Sequence, residues 1–137
     1  MNINFSAEVD KEITEESAEK IERYIDENMG GTDYYDVHNE ESRDFAVREY
    51  INESLWAFNA DFIISHTSTE IRPEELQKMQ ETMAESANGI IAGIITDIDI
   101  FINDAINEDG YGHFLSTYDG KEHELELGGE TYFLYAN

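Results

Sequence analysis

Apolar residues recur at helical spacing through most of the first 108 positions and at alternating spacing after them. Ala18, Ile21 and Ile25 form one apolar stripe, which predicts a first helix. Thr14 is placed to cap it, Glu15 and Glu16 favour its positive end, and Gly30-Gly31 stops it. Ile3–Phe5 reads as a short strand or an ordered arm, and residues 32–38, TDYYDVH, as a polar aromatic loop. Val47, Ile51, Leu55, Phe58 and Phe62 share one face of a second helix, expected from about Glu40 to Ser65. Pro73 suits the first turn of a third helix, and the spacing from Leu76 to Ala105 carries that helix to about Glu108. Gly89 and Gly93 weaken its interior, so it is one long or broken helix, and the alternation in TDIDIFI also fits a strand.

The period then changes from helical to alternating. GHFLSTY, KEHELEL and ETYFLYA are rich in β-formers and are separated by Asp119-Gly120 and Gly128-Gly129, two hairpin signals. They predict a three-stranded antiparallel meander in which Tyr118 pairs with Lys121 and Leu127 with Glu130. One face then carries Phe114, Ser116, Tyr118, His123, Leu125, Leu127, Tyr132 and Leu134 and packs on the helices. The other carries Glu122, Glu124 and Glu126 on the central strand, about 6.8 Å apart at two residues of antiparallel rise. The expected fold is α+β: about three helices on a C-terminal β-meander, in a single domain over 1–137, helical over about 7–108 and sheet over about 112–136.

Charge changes the picture most. The chain has 32 Asp and Glu against 8 Lys and Arg, a formal charge of −24. Sixteen acids precede residue 54 and sixteen follow, so this is an acidic surface and not an acidic tail. Between Lys78 and Lys121 there are eight carboxylates and no cation. Such a surface repels nucleic acid and anionic membranes and attracts basic grooves, at the cost of self-repulsion. Solubility or growth in high salt would also explain it, although many Ile and Asn residues fit a halophile poorly. The absence of cysteine excludes a disulfide framework and thiolate metal sites and fits a reducing cytoplasm. MNINFSAEVDKEI has neither the basic nor the apolar region of a secretory signal, and the apolar window 89–102 is too short to span a bilayer.

Candidate chemistry is thin. DIDIFINDAINE places acids at positions one, three and twelve of an EF-hand loop, but Phe101 and Ile102 occupy positions five and six. On the expected register His113 and His123 lie on opposite sheet faces, and Ser116 with His123 forms a cross-strand pair suited to a structural hydrogen bond. No glycine-rich phosphate loop precedes a helix. An enzyme would need a site assembled from His66, His113 or His123 with acids.

The segment EDGYGHFLSTYDGKEHELELGGETYFLYAN looks like the C-terminal end of small acidic proteins encoded by phages and mobile elements. In size and charge the whole chain resembles phage anti-defence proteins, namely DNA-mimicking antirestriction proteins and some anti-CRISPR proteins. The resemblance implies a cytoplasmic, non-enzymatic inhibitor. It would occupy the positive channel of a host DNA- or RNA-binding nuclease or effector, without itself binding nucleic acid, a membrane or a cofactor.

The candidate partner-binding acids are Glu122, Glu124, Glu126, Glu81, Glu85, Asp104, Glu108, Asp109, Glu15, Glu19 and Glu22, with Tyr34, Tyr35 and Tyr135 as aromatic contacts. No catalytic or metal-binding residue is expected. The alternative is a regulatory interaction module whose hot spot lies in TDYYDVH, Trp56 or Phe133–Tyr135, with charge serving solubility. The GIIAG spacing lets a second helix approach, within the fold or across a homodimer.

Overall fold

The structure is a computed structural model describing residues 1–137, and it divides into two compact units, 1–47 with 109–137, and 48–108. In chain order the elements of the first are β1 (Asn2–Phe5), α1 (Ala7–Glu12), α2 (Glu15–Asn28) and β2 (Tyr34–His38). Helix α3 (Glu40–Glu53) follows. A 3-10 turn at Leu55–Ala57 leads to α4 (Ala60–Ile64), α5 (Pro73–Met83), a second 3-10 turn at Ala84–Ala87, α6 (Asn88–Ile94) and α7 (Ile98–Asp109). The chain ends with α8 (Tyr111–Leu115), β3 (His123–Leu127) and β4 (Glu130–Ala136). The class is α+β, but the architecture is more divided than three helices on a meander.

In the first unit the four strands form one mixed sheet in the order β1-β2-β4-β3. β1 runs parallel to β2, so α1 and α2 supply the crossover that parallel neighbours require. β2 and β3 each pair antiparallel with β4. One sheet face presents Tyr35, Val37, Tyr132, Leu134 and Ala136 to Val9 of α1 and to Ile21 and Ile25 of α2. Ile3, Phe5, Leu125 and Leu127 complete that layer at the sheet margins. The expected Thr14 cap is present, its side chain accepting from the Ser17 N–H at 3.1 Å. Ser6 caps α1 in the same way, a helix that the apolar stripe does not announce because only Val9 in it is buried.

Several expectations are corrected by this sheet. TDYYDVH is not a loop: its alternation of Tyr35 and Val37 inward makes it β2, between β1 and β4. GHFLSTY is not a strand. Its first four residues belong to α8, and the Ser116 hydroxyl donates to the Ala136 carbonyl at 2.6 Å, which ties this segment to the end of β4 outside the ladder. Gly112 makes the fit possible, since a Cβ there would lie 2.4 Å from the Gly120 carbonyl oxygen. Ser116 therefore does not pair with His123, and His113 lies on a helix and not on a sheet face opposite His123. The Asp119-Gly120 turn is organised by side chains, Asp119 N–H to Ser116 Oγ at 3.4 Å and Lys121 N–H to Asp119 Oδ1 at 3.0 Å, and Tyr118 does not pair with Lys121. The Leu127–Glu130 pairing holds, and so does the shared face of His123, Leu125, Leu127, Tyr132 and Leu134.

The second unit breaks the long second predicted helix and takes the third in its broken form. After Glu53 the chain turns through Leu55–Ala57 before α4, and this turn is held by side chains from later in the chain. Gln80 donates to the Trp56 and Phe58 carbonyls at 2.9 and 2.7 Å. Asn88 accepts from the Trp56 N–H at 3.1 Å and donates to the Asn52 carbonyl at 2.7 Å. The third predicted helix stops at Met83 because Ala84 takes φ 49°, a left-handed conformation that no α-helix continues through. It stops again at Ile95, which bridges Thr67, and Asp97 then caps α7 by accepting from the Asp99 and Ile100 N–H groups. Pro73 begins α5 as its sequence position implies. Ile51, Leu55, Ile63, Leu76, Ile91, Phe101 and Ile102 are all fully buried in this unit.

Candidate interaction surface

Carboxylates cover both units. All are exposed except Glu8, Asp36 and Glu122, which are half-buried, and none is fully buried. Only Glu16, Asp99, Glu75 and Glu122 pair with a Lys or Arg, through Lys20, Arg48, Arg72 and Arg43. The first three pairs are at the surface, where such contacts contribute little. The anionic charge is therefore turned to solvent and mostly uncompensated within the chain.

On α2, Glu15, Glu19, Glu22 and Asp26 recur every three or four residues and are exposed along one stripe. The opposite stripe holds Ile21 and Ile25 in the core, which fixes the orientation of the acids. In the second unit Asp104 and Glu108 lie one turn apart on α7. They line an open recess with Phe62, Ser65, His66 and Asn107. Glu81 is on α5, but Glu85 lies beyond the break at Ala84, so the two do not continue one helical stripe. Asp109 ends α7.

The three glutamates of the C-terminal segment separate into two kinds. β3 is an edge strand, not the expected central one, because the inner neighbour of β4 is β2. Glu124 and Glu126 are exposed on that edge, where charges discourage pairing with another chain. Glu122 precedes the strand and is turned inward. Both of its oxygens lie 3.3 Å from Arg43 Nη1, and it accepts from the Tyr135 hydroxyl at 2.5 Å. Arg43 is stacked between rings, 3.9 Å from the Tyr111 centroid and 3.7 Å from that of Phe133. Burial, and then the Glu122 hydrogen bond, push the Tyr135 hydroxyl pKa far above its ordinary value.

Of the aromatic candidates, Tyr34 is 61% exposed, whereas Tyr35 is buried and Tyr135 fully so. Tyr35 belongs to the core and donates to the Thr32 carbonyl at 2.7 Å. Two features lie outside the sequence reading. One is Arg43 itself, whose sequence surroundings do not mark it out. The other is a polar knot in which Ser42 Oγ accepts from the Asn39 N–H at 3.1 Å and from the Ser6 hydroxyl at 2.8 Å. The same oxygen lies 3.0 Å from His38 Nδ1, and burial lowers the His38 pKa.

Of the histidines named from the sequence, His66 meets a carboxylate and His123 Nδ1 lies 3.3 Å from the Tyr24 hydroxyl. His66 Nε2 lies 3.2 Å from Asp104 Oδ2, with its ring against Phe62 and Phe101. The adjacent Ser65 hydroxyl is committed to the Phe62 carbonyl at 2.6 Å, and Ser42 is buried. No three His, Asp or Glu side chains converge as a metal-ligand set. No helix is long and apolar enough to cross a membrane. No protein-family model, curated protein or solved structure matches the chain.

Proposed function

We propose that the protein inhibits a host DNA-binding defence nuclease, a restriction enzyme or CRISPR effector, by presenting folded carboxylates in place of phosphates. The observation that carries this reading is the near-complete exposure of its acids with so few internal cations set against them. Self-repulsion of this size lowers stability and is retained for a use outside the fold. α2 gives the scale. Its fourteen residues span about 21 Å at about 1.5 Å per residue and carry six acids, one per roughly 3.5 Å. Each strand of duplex DNA carries one charge per about 3.4 Å of axis. Lys20 and Arg23 interrupt the helix surface, and Lys20 is occupied by Glu16.

A folded mimic loses little conformational entropy on docking, and its association is electrostatically steered and sensitive to salt. Glu15, Glu19 and Glu22 carry the reading in the first unit, with Glu124 and Glu126. Glu81, Glu85, Asp104 and Glu108 extend it to the second. Glu122 is spent inside the fold. Competition against labelled duplex DNA on purified restriction and CRISPR nucleases tests the proposal. Displacement of DNA supports it, and binding to the nuclease with DNA occupancy unchanged contradicts it.

A second reading, an interaction module with an aromatic hot spot, is favoured by Phe45 at 67% and Tyr34 at 61% exposure. Loss of partner binding on changing these residues, with charge reversal of the acids tolerated, would select it.

A further inference from the structure

The two edges of the sheet are built differently. β3 carries Glu124 and Glu126 outward, a common protection against strand addition. β1, Asn2–Phe5, is the other edge and has no charged side chain, no proline and no covering strand. Asn2 N–H bonds to the Asp33 carbonyl at 2.7 Å and Ser6 N–H to the Val37 carbonyl at 3.0 Å. In a parallel pair, alternate residues turn both main-chain groups to the same neighbour, so Asn2, Asn4 and Ser6 face β2. The N–H and C=O of Ile3 and Phe5 therefore point away from the sheet, and neither residue has a main-chain bond elsewhere.

The surroundings of this edge have a sign. Met1, 54% exposed, borders one shallow recess with Glu19, Glu22, Arg23 and Asp26 of α2. It borders another with Asn2, Asn4, Tyr34 and Asp36 along β1 and β2. A strand laid against β1 would turn alternate side chains toward one recess and then the other. Three carboxylates against Arg23 and the Met1 ammonium leave the α2 side net negative, which favours cations there, and the exposed Tyr34 ring offers a π-face to an arginine.

We infer that the free edge of β1 receives an extended, Lys/Arg-bearing segment of the partner protein, which adds to the sheet as a fifth strand. The inference takes only the sign of the partner's charge from the reading above. Main-chain bonds to Ile3 and Phe5 would supply affinity, and the flanking acids the choice of sequence.

The test uses the full chain and two short peptides, one alternating Lys and Val, the other Glu and Val. The Lys–Val peptide is expected to bind and to slow amide exchange at Ile3 and Phe5 by about tenfold or more, with the Glu–Val peptide doing neither. Ile3→Pro deletes one outward donor while leaving the bonds of Asn2, Asn4 and Ser6, and is expected to abolish the protection at Phe5 and weaken binding. Should that variant fail to fold, Asn4→Lys places a repelling cation on the edge and is expected to weaken Lys–Val binding. Binding of neither peptide, equal binding of both, or Lys–Val binding without slower exchange at Ile3 and Phe5 would overturn the inference. So would Lys–Val binding left intact by the edge variants, or a dimer in which those amides are already protected. Neither DNA nor a nuclease enters this test, so mimicry and strand addition can fail separately.

Discussion

Glu122 and Arg43 form an inward ion pair, with both carboxylate oxygens 3.3 Å from Nη1 and the side chains 24% and 14% exposed. Tyr135 donates to the same carboxylate, and Tyr111 and Phe133 hold the guanidinium between them. Glu122 is the only carboxylate paired with Arg43, and Arg43 Nε has no partner, so the cation depends on this one residue. Glu122→Gln should therefore cost about 1–3 kcal/mol, the range for stranding a largely buried polar or charged group. Urea unfolding measures it. Glu124→Gln and Glu126→Gln, on the exposed edge, should each change stability by less than about 0.5 kcal/mol. Equal costs at 122 and 124 would contradict the division of the three glutamates.

Ala84 marks the break after α5 with φ 49° and ψ −130°, a conformation suited to glycine. Ala84→Gly should raise stability by about 1 kcal/mol through relief of this strain. The gain should appear as a higher urea midpoint with an unchanged slope. A loss of stability would mean that the side chain contributes more than the backbone costs.

Gly112 approaches the 120–122 backbone so closely that a Cβ would lie 2.4, 2.7 and 2.8 Å from its atoms. Gly112→Ala should destabilise the first unit by about 1–3 kcal/mol, as overpacking does. The contacting atoms are main chain, so no flexible side chain can move aside. A neutral result in thermal unfolding would show that the turn shifts freely.

The folded pKa of His38 lies below the ordinary value because burial disfavours the charged ring. The unfolded chain then binds the extra proton first. Stability from this residue is complete above about pH 6.5 and is lost as pH falls toward the lowered folded pKa. Falling pH also relieves carboxylate repulsion, so the informative quantity is the difference between wild type and His38→Asn. That difference should move against wild type between pH 7.5 and 5. A constant difference would remove His38 from the pH response.

The sequence patterns recover the parts of this fold that local chemistry decides. Thr14, Pro73 and the HELEL alternation act over a few residues, and each element they mark is present. The errors lie where distant groups decide. YYDVH becomes a strand because β1 and β4 flank it. The long second helix breaks where Gln80 and Asn88 hold the 55–57 turn, and the third is broken where Ala84 reverses φ. Among the candidate acids, spacing on α2 was enough to align Glu15, Glu19 and Glu22. Spacing alone could not separate Glu122 from Glu124 and Glu126, because the pairing depends on Arg43, 79 residues away.

The central claim is that exposed carboxylates stand in for phosphates on a cationic protein. The most direct measurement immobilises the protein, loads bacterial lysate at low salt, and elutes with duplex DNA or with polyglutamate at equal charge. Mimicry requires that DNA release the captured proteins far better than polyglutamate, and that they be DNA-binding nucleases or effectors. Capture that is indifferent to DNA, or released equally by both polyanions, would contradict it.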